Sequence, residues 1–147
     1  PQCYTICSTE VRPILGKEAQ MAIPRPGKPV RGSQSGAPIM AAFDLLGRRW
    51  AMGIVWNLNR GPATFRSLQS RCETISPSML NSRLKDLREA GLVNRGSEGY
   101  QLTSLGRELF SLLKPFGEWS IKWARQISDE SKEHWDAYLD RMKKRSA

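Results

Sequence analysis

Ile75-Ser76-Pro77-Ser78-Met79-Leu80-Asn81-Ser82-Arg83-Leu84-Lys85-Asp86-Leu87-Arg88-Glu89-Ala90-Gly91-Leu92-Val93-Asn94-Arg95 is the stretch that decides how this chain folds. Ser76 is predicted to cap a helix, with Pro77 at the first helical position, where a missing N–H costs nothing. Leu80, Leu84 and Leu87 recur at the spacing of one apolar stripe on a helix of about 3.6 residues per turn. Gly91 supplies the left-handed residue that ends it. The opposite face carries Ser78, Asn81, Ser82 and Lys85, flanked by Arg83 and Arg88. Short hydrogen-bonding residues and cations over a greasy underside suit a DNA major groove. Taken alone, the same pattern also describes an ordinary amphipathic surface helix.

The neighbours of that helix settle the class. Thr64 to Cys72 predicts a shorter helix with Phe65 and Leu68 inward, Glu73-Thr74 a turn, and Ile75 a core plug. Two short helices joined by a few residues form a helix-turn-helix. Downstream, Leu92-Val93-Asn94-Arg95 and Tyr100-Gln101-Leu102 read as short strands around a tip of Gly96-Ser97-Glu98-Gly99, a hairpin in the position of a wing. Thr103 then caps a long helix with Leu105, Leu109, Leu112, Leu113, Phe116, Trp119, Trp123 and Ile127 along one stripe, and Pro115 is expected to bend or divide it. Ser128 is expected to cap a last helix carrying Trp135, Tyr138, Leu139 and Met142 on one side. These closing helices expose more apolar face than one small core covers, a pattern usually satisfied by a second subunit.

Upstream, Ile39, Met40, Phe43 and Leu46 mark a helix from Pro38 to Gly47, and Trp50, Ala51, Ile54, Val55 and Leu58 a second one stopped at Asn59-Arg60-Gly61-Pro62. Residues 1–37 read as a flexible basic tail, because five of the nine prolines fall there among four glycines and no apolar period is present. The arm Arg25-Pro26-Gly27-Lys28-Pro29-Val30-Arg31 is a solvated linker or a minor-groove arm. The chain opens on Pro1, and Met21 is an alternative start. The expected division is therefore a tail over 1–37, a winged helix-turn-helix over 38–127 and a terminal helix over 128–147: a mainly α fold with a small β-hairpin wing.

The formal charge is +9, from 23 Lys and Arg against 14 Asp and Glu. It divides as +3 over 1–36, +6 over 37–127 and zero over 128–147, so the excess lies mostly in the folded part. That balance points to a polyanionic partner, nucleic acid first and a membrane surface second. Cys3, Cys7 and Cys72 make no disulfide framework, and Cys3 and Cys7 lack the further ligands a zinc site needs. No cofactor or metal site is expected. No apolar run spans a bilayer and no signal-peptide core is present, so the chain reads as cytoplasmic without a membrane partner. His134, the single histidine, stands beside Glu133 and Trp135 with no nucleophile to serve, and no glycine-rich phosphate loop occurs. Catalysis is excluded on those grounds.

With these residues laid out, Asp44-Leu45-Leu46-Gly47…Trp50, Arg60-Gly61-Pro62…Phe65…Leu68, Ile75-Ser76-Pro77…Met79-Leu80…Arg83-Leu84…Leu87…Gly91-Leu92-Val93…Arg95 and Tyr100…Leu102-Thr103…Leu105-Gly106 resemble the HxlR-type winged helix-turn-helix family, bacterial regulators related to the MarR group. The resemblance runs over about residues 38–126. It implies a homodimer built from N- and C-terminal helices, each subunit placing a recognition helix on a pseudopalindromic operator. Three departures stand out. Many members carry a sensing cysteine directly before the proline that corresponds to Pro38, where this chain has Ala37. The wing tip is short and acidic at Glu98, and Arg48 stands where many members have a second glycine. Thiol sensing at Ala37 is ruled out, and Cys72 reads as a small buried apolar residue.

The mechanism expected from these features is sequence-specific binding of double-stranded DNA. Ser78, Asn81, Ser82 and Lys85 are the candidates for base edges, and Ser76, Arg66, Arg83, Arg88 and Arg95 for phosphates. Asp86 and Glu89 compete for Arg83 and Arg88 as ion-pair partners. Phe43, Trp50, Phe116, Trp119 and Trp123 are the candidate dimer contacts. Trp50, Trp56, Phe116 and Trp119 line either a dimer core or a pocket for a small aromatic effector; both readings stay open. The competing class is a winged-helix protein–protein module whose basic charge is incidental. RNA binding is a weaker third, since no stacking-aromatic platform is evident.

Overall fold

The computed structural model describes residues 22–146, with side chains as far as Lys144. Cys3, Cys7 and the first 21 residues of the expected tail lie outside the described residues. Along the described chain run α1 (Pro38–Leu46), α2 (Ala51–Leu58), α3 (Phe65–Arg71), α4 (Pro77–Glu89), β1 (Val93–Gly96), β2 (Gly99–Leu102), α5 (Ser104–Ile127) and α6 (Lys132–Ser146). The expected class holds: a mainly α fold with one β-hairpin, in the order of a winged helix-turn-helix.

Side-chain caps start the central helices. Thr64 Oγ1 accepts from the Ser67 amide at 3.2 Å and Ser76 Oγ from the Met79 amide at 3.2 Å, each replacing an orphan bond of a first turn. Gly91, at φ +75°, follows the last residues of α4 and turns the chain toward the wing. Leu80, Leu84 and Leu87 are buried with Ile54, Val55 and Leu68, and Ile75, Leu92, Tyr100 and Leu102 complete the same core. Burying each such aliphatic side chain stabilises the fold by roughly 1.5–3 kcal/mol.

β1 and β2 pair antiparallel, Val93 with Leu102 and Arg95 with Tyr100, out to Gly96 with Gly99. The turn is therefore the two residues Ser97-Glu98, tighter than the four-residue tip expected. Ala63 joins the hairpin through reciprocal bonds with Tyr100 of 2.9 and 2.8 Å. Gly99 sits in that corner at φ +114°, where an added Cβ would lie 2.3 Å from the Ala63 carbonyl oxygen.

Four expectations are corrected. Residues 22–36 are folded rather than a solvated linker: Ile23 is buried in the core, the Gly27 amide bonds the Gly36 carbonyl at 2.8 Å, and the Val30 amide bonds Ser33 at 2.9 Å. Composition hides this, because one isoleucine and a few ties to formed helices offset the ordering entropy without any apolar period. Pro115 does not divide α5, which runs unbroken for 24 residues; the proline and Ser111, whose carbonyl it frees one turn earlier, both lie on the exposed side. Ser128 ends α5 in extended conformation, and Ser131 caps α6 instead, its Oγ accepting from the His134 amide at 3.2 Å. Finally, α1 turns Ala41 and Leu45 inward, leaving Ile39 and Phe43 exposed.

Gly99→Ala is expected to destabilise the chain by about 1–3 kcal/mol through backbone strain and the clash with Ala63, read as a lowered urea midpoint at unchanged slope.

Candidate nucleic-acid interface

With its leucines buried, α4 turns Ser78, Asn81, Ser82, Lys85 and Arg88 to the surface, all of them exposed. Lys85, Arg88, Asn94 and Arg95 line one cleft between α4 and β1, with Glu89 as its acid. Three cations from two elements thus converge where the end of the helix meets the base of the wing. The Arg95 guanidinium lies 5.6 Å from the centroid of the Tyr100 ring, a cation–π contact that holds it over its strand partner. Arg66 is exposed in the first turn of α3, outside that cleft. Ser76 Oγ is committed to its capping bond and lies 3.3 Å from Ser78 Oγ, so its hydroxyl proton alone remains for a phosphate.

Arg83 does not join this surface. Its Nη1 lies 2.5 Å from Asp86 Oδ2, and the same oxygen accepts from Arg48 Nη1 at 3.0 Å. Asp86 is 6% exposed, and Arg83 is mostly buried beside it. Pulling Arg83 out to a phosphate would strip half the compensation from a buried carboxylate, a costly exchange. Glu89 pairs with Arg25 at 3.0 Å, and no acidic partner meets Arg88 among the described residues. Arg48 and Arg25 were invisible as partners because they lie 38 and 64 residues from the acids they meet. The two acids on α4 were the available signal.

Trp50 is half-buried: it packs against its own protomer's core and stands just before α2 in left-handed backbone at φ +74°. Phe43, Phe116, Trp119 and Trp123 are exposed, the last three stacked in sequence with centroids 5.5 and 6.1 Å apart. A cavity of about 650 Å³ opens between α2, α5 and α6, walled by Trp56, Phe110, Phe116, Ile121, Tyr138 and Leu139. It keeps Trp56 and Phe116 of the expected aromatic set and excludes Trp50 and Trp119. Cys72 is buried, and burial pushes its thiol above the ordinary value, with Arg71 opposing weakly. No group of His, Cys, Asp and Glu able to hold a metal is found among the described residues, nor any helix long and apolar enough to cross a membrane.

A capped helix with an exposed polar face, seated behind a short helix and followed by a hairpin, defines a winged helix-turn-helix DNA-binding protein. The family model of the HxlR-like helix-turn-helix matches residues 45–128, and the chain belongs to that family. Among its relatives is the HTH-type transcriptional regulator YvaP of Bacillus subtilis, 30% identical over 89 residues, or 56% of this chain and 82% of YvaP. The quinone-bound YodB of B. subtilis superposes with a TM-score of 0.54 at 33% identity, covering 57% of this chain and 96% of YodB. A MarR-family regulator from Enterococcus faecalis V583 shares the fold at a TM-score of 0.56 and 21% identity, over 69% of this chain and 98% of its own. The protein is a DNA-binding transcriptional regulator, and its family is one of regulators rather than enzymes.

Because the neutral thiol is the favoured form of Cys72, it is expected to alkylate slowly in the folded chain and at an ordinary rate in urea, resolved by peptide mass spectrometry. The sign of the linkage follows: stability is flat below the ordinary thiol pKa of 9.0 and falls above it, as the unfolded chain loses its proton first.

Proposed function

We propose that the protein regulates transcription as a homodimer on a pseudopalindromic operator, each α4 lying in a major groove. The exposed polar face of α4 over its fully buried leucines is the observation that carries this reading. Ser78, Asn81, Ser82 and Lys85 read base edges, Asn81 suited to adenine and Lys85 to guanine. Arg66, Arg88 and Arg95 hold phosphates, with the Ser76 hydroxyl beside them, while Arg83 is left out because Asp86 occupies it. Two recognition helices in successive grooves stand about 34–36 Å apart.

Dimerisation is supported by the apolar surface of α5 and α1: Leu112 is 74% exposed, and Phe43, Phe116 and Trp119 are each more than half exposed. Side chains of that size in such density call for a partner helix. The cavity walled by Trp56, Phe110 and Tyr138 is the candidate site for a small aromatic effector. Its size suits one, and a relative of this family, YodB, has been solved with a quinone bound.

Selection from a random-sequence duplex pool should enrich an inverted repeat; a pool without one would sink the operator reading. With about three or four phosphates neutralised per protomer, the slope of log K against log salt is expected to be roughly −5 to −7. Lys85→Glu with Asn81→Ala should lose roughly 1–3 kcal/mol of discrimination per contact while leaving the mass by light scattering dimeric. A protein–protein module would instead leave duplex binding untouched by that pair. Leu112→Glu with Trp119→Glu should give a monomer that keeps its far-UV circular dichroism.

A further inference from the structure

We propose that Arg48 is a positioning residue for DNA recognition, tying the recognition helix to a clasp formed by residues 22–36, so that the clasp sets the pose of Lys85 and Arg88. Asp86 is the only buried charged residue among the described residues. Its Oδ2 accepts from Arg48 Nη1 at 3.0 Å, and the other end of the same guanidinium, Nη2, donates to the Ala22 carbonyl at 2.7 Å. One planar group therefore bridges the edge of α4 and the start of the clasp. The next residue, Ile23, is buried in the core that α4 also lines. Two residues further on, Arg25 pairs with Glu89 at 3.0 Å, one turn beyond Asp86 along α4. The clasp thus reaches α4 twice, through Arg48 and directly, on both sides of Arg88 in sequence.

Ionic chemistry argues for positioning over bulk stability. Two guanidinia on one carboxylate oxygen leave a surplus positive charge in a mostly buried place, and the Nε atoms of both Arg48 and Arg83 have no hydrogen-bond partner. Such clusters contribute little net stability beside an apolar replacement, and their attested use is to select one arrangement of elements. The arrangement selected here is the fine setting, within the limits the buried leucines leave, of the last turns of α4, where Lys85 and Arg88 project.

The proposal rests on the DNA-reading role of α4, and its test separates the two. Hydrogen exchange on the full chain, without DNA, compares wild type with Arg48→Ala and Arg25→Ala at amides 27–33 and 84–91. The tie predicts that Arg48→Ala accelerates both segments together by about tenfold, as loss of a charged hydrogen bond does, with the β1–β2 amides unchanged. Arg25→Ala, at an exposed position, should accelerate both to a lesser degree, and it carries the test if Arg48→Ala does not fold. Competition binding then asks for a drop of about tenfold in preference for the pool-selected duplex over a scrambled one, with affinity for the scrambled duplex unchanged. Unchanged exchange at 84–91, acceleration of one segment alone, or equal loss on both duplexes overturns the proposal. A wild type that prefers no duplex overturns the DNA reading instead, and the exchange result still decides whether the tie exists.

Discussion

Everything the protein presents to a nucleic acid depends on the burial of Leu80, Leu84 and Leu87 under α4. Three leucines each stabilising by roughly 1.5–3 kcal/mol far outweigh any exposed ion pair on the same helix, typically about 0–1 kcal/mol. The helix cannot roll by a whole residue. A turn of one residue about its axis would bring a leucine to water and push a hydrated side chain into the core. The polar face is therefore a by-product of apolar packing, held as precisely as the core is filled, and the wing and α3 inherit their positions from the same core.

The sequence disclosed what local chemistry decides. Ser76-Pro77, the leucine spacing, Gly91, Thr103 and the switch to strand period at Leu92 are signals within one element or its cap, and each element begins within a residue of where they placed it. What stayed hidden was settled by contacts across the fold. The direction Arg83 takes depends on Asp86 three residues on, but also on Arg48 reaching the same oxygen. Trp50 read as part of the second helix, but nothing local shows that the backbone there turns left-handed, so that α2 opens only at Ala51. Ile23, alone in a proline-rich stretch, has no periodic company to announce that it is buried. Ser128 and Ser131 are equivalent as caps by residue type, and the start of α6 at Lys132 makes the later one the cap.

α5 has two apolar faces with different fates. Leu109, Phe110 and Leu113 rest on the core, with Phe110 meeting Trp56 edge to face at 5.2 Å. Leu105, Leu112, Phe116, Trp119, Trp123 and Ile127 look outward. A single stripe in sequence is thus divided into a part that packs on the core and a part that does not, and only the second remains for a partner.

The start of α5 is fastened to the end of α4 by one hydroxyl. Thr103 Oγ1 donates to the Gly91 carbonyl at 2.6 Å and accepts from the Gly106 amide at 3.1 Å, and Gly106 presses so close to Leu92 that a Cβ there would stand 2.1 Å from its carbonyl oxygen. The end of α4 and the start of α5 therefore meet at a joint with little room for slack, where a tilt of one would be felt by the other without a loop between them.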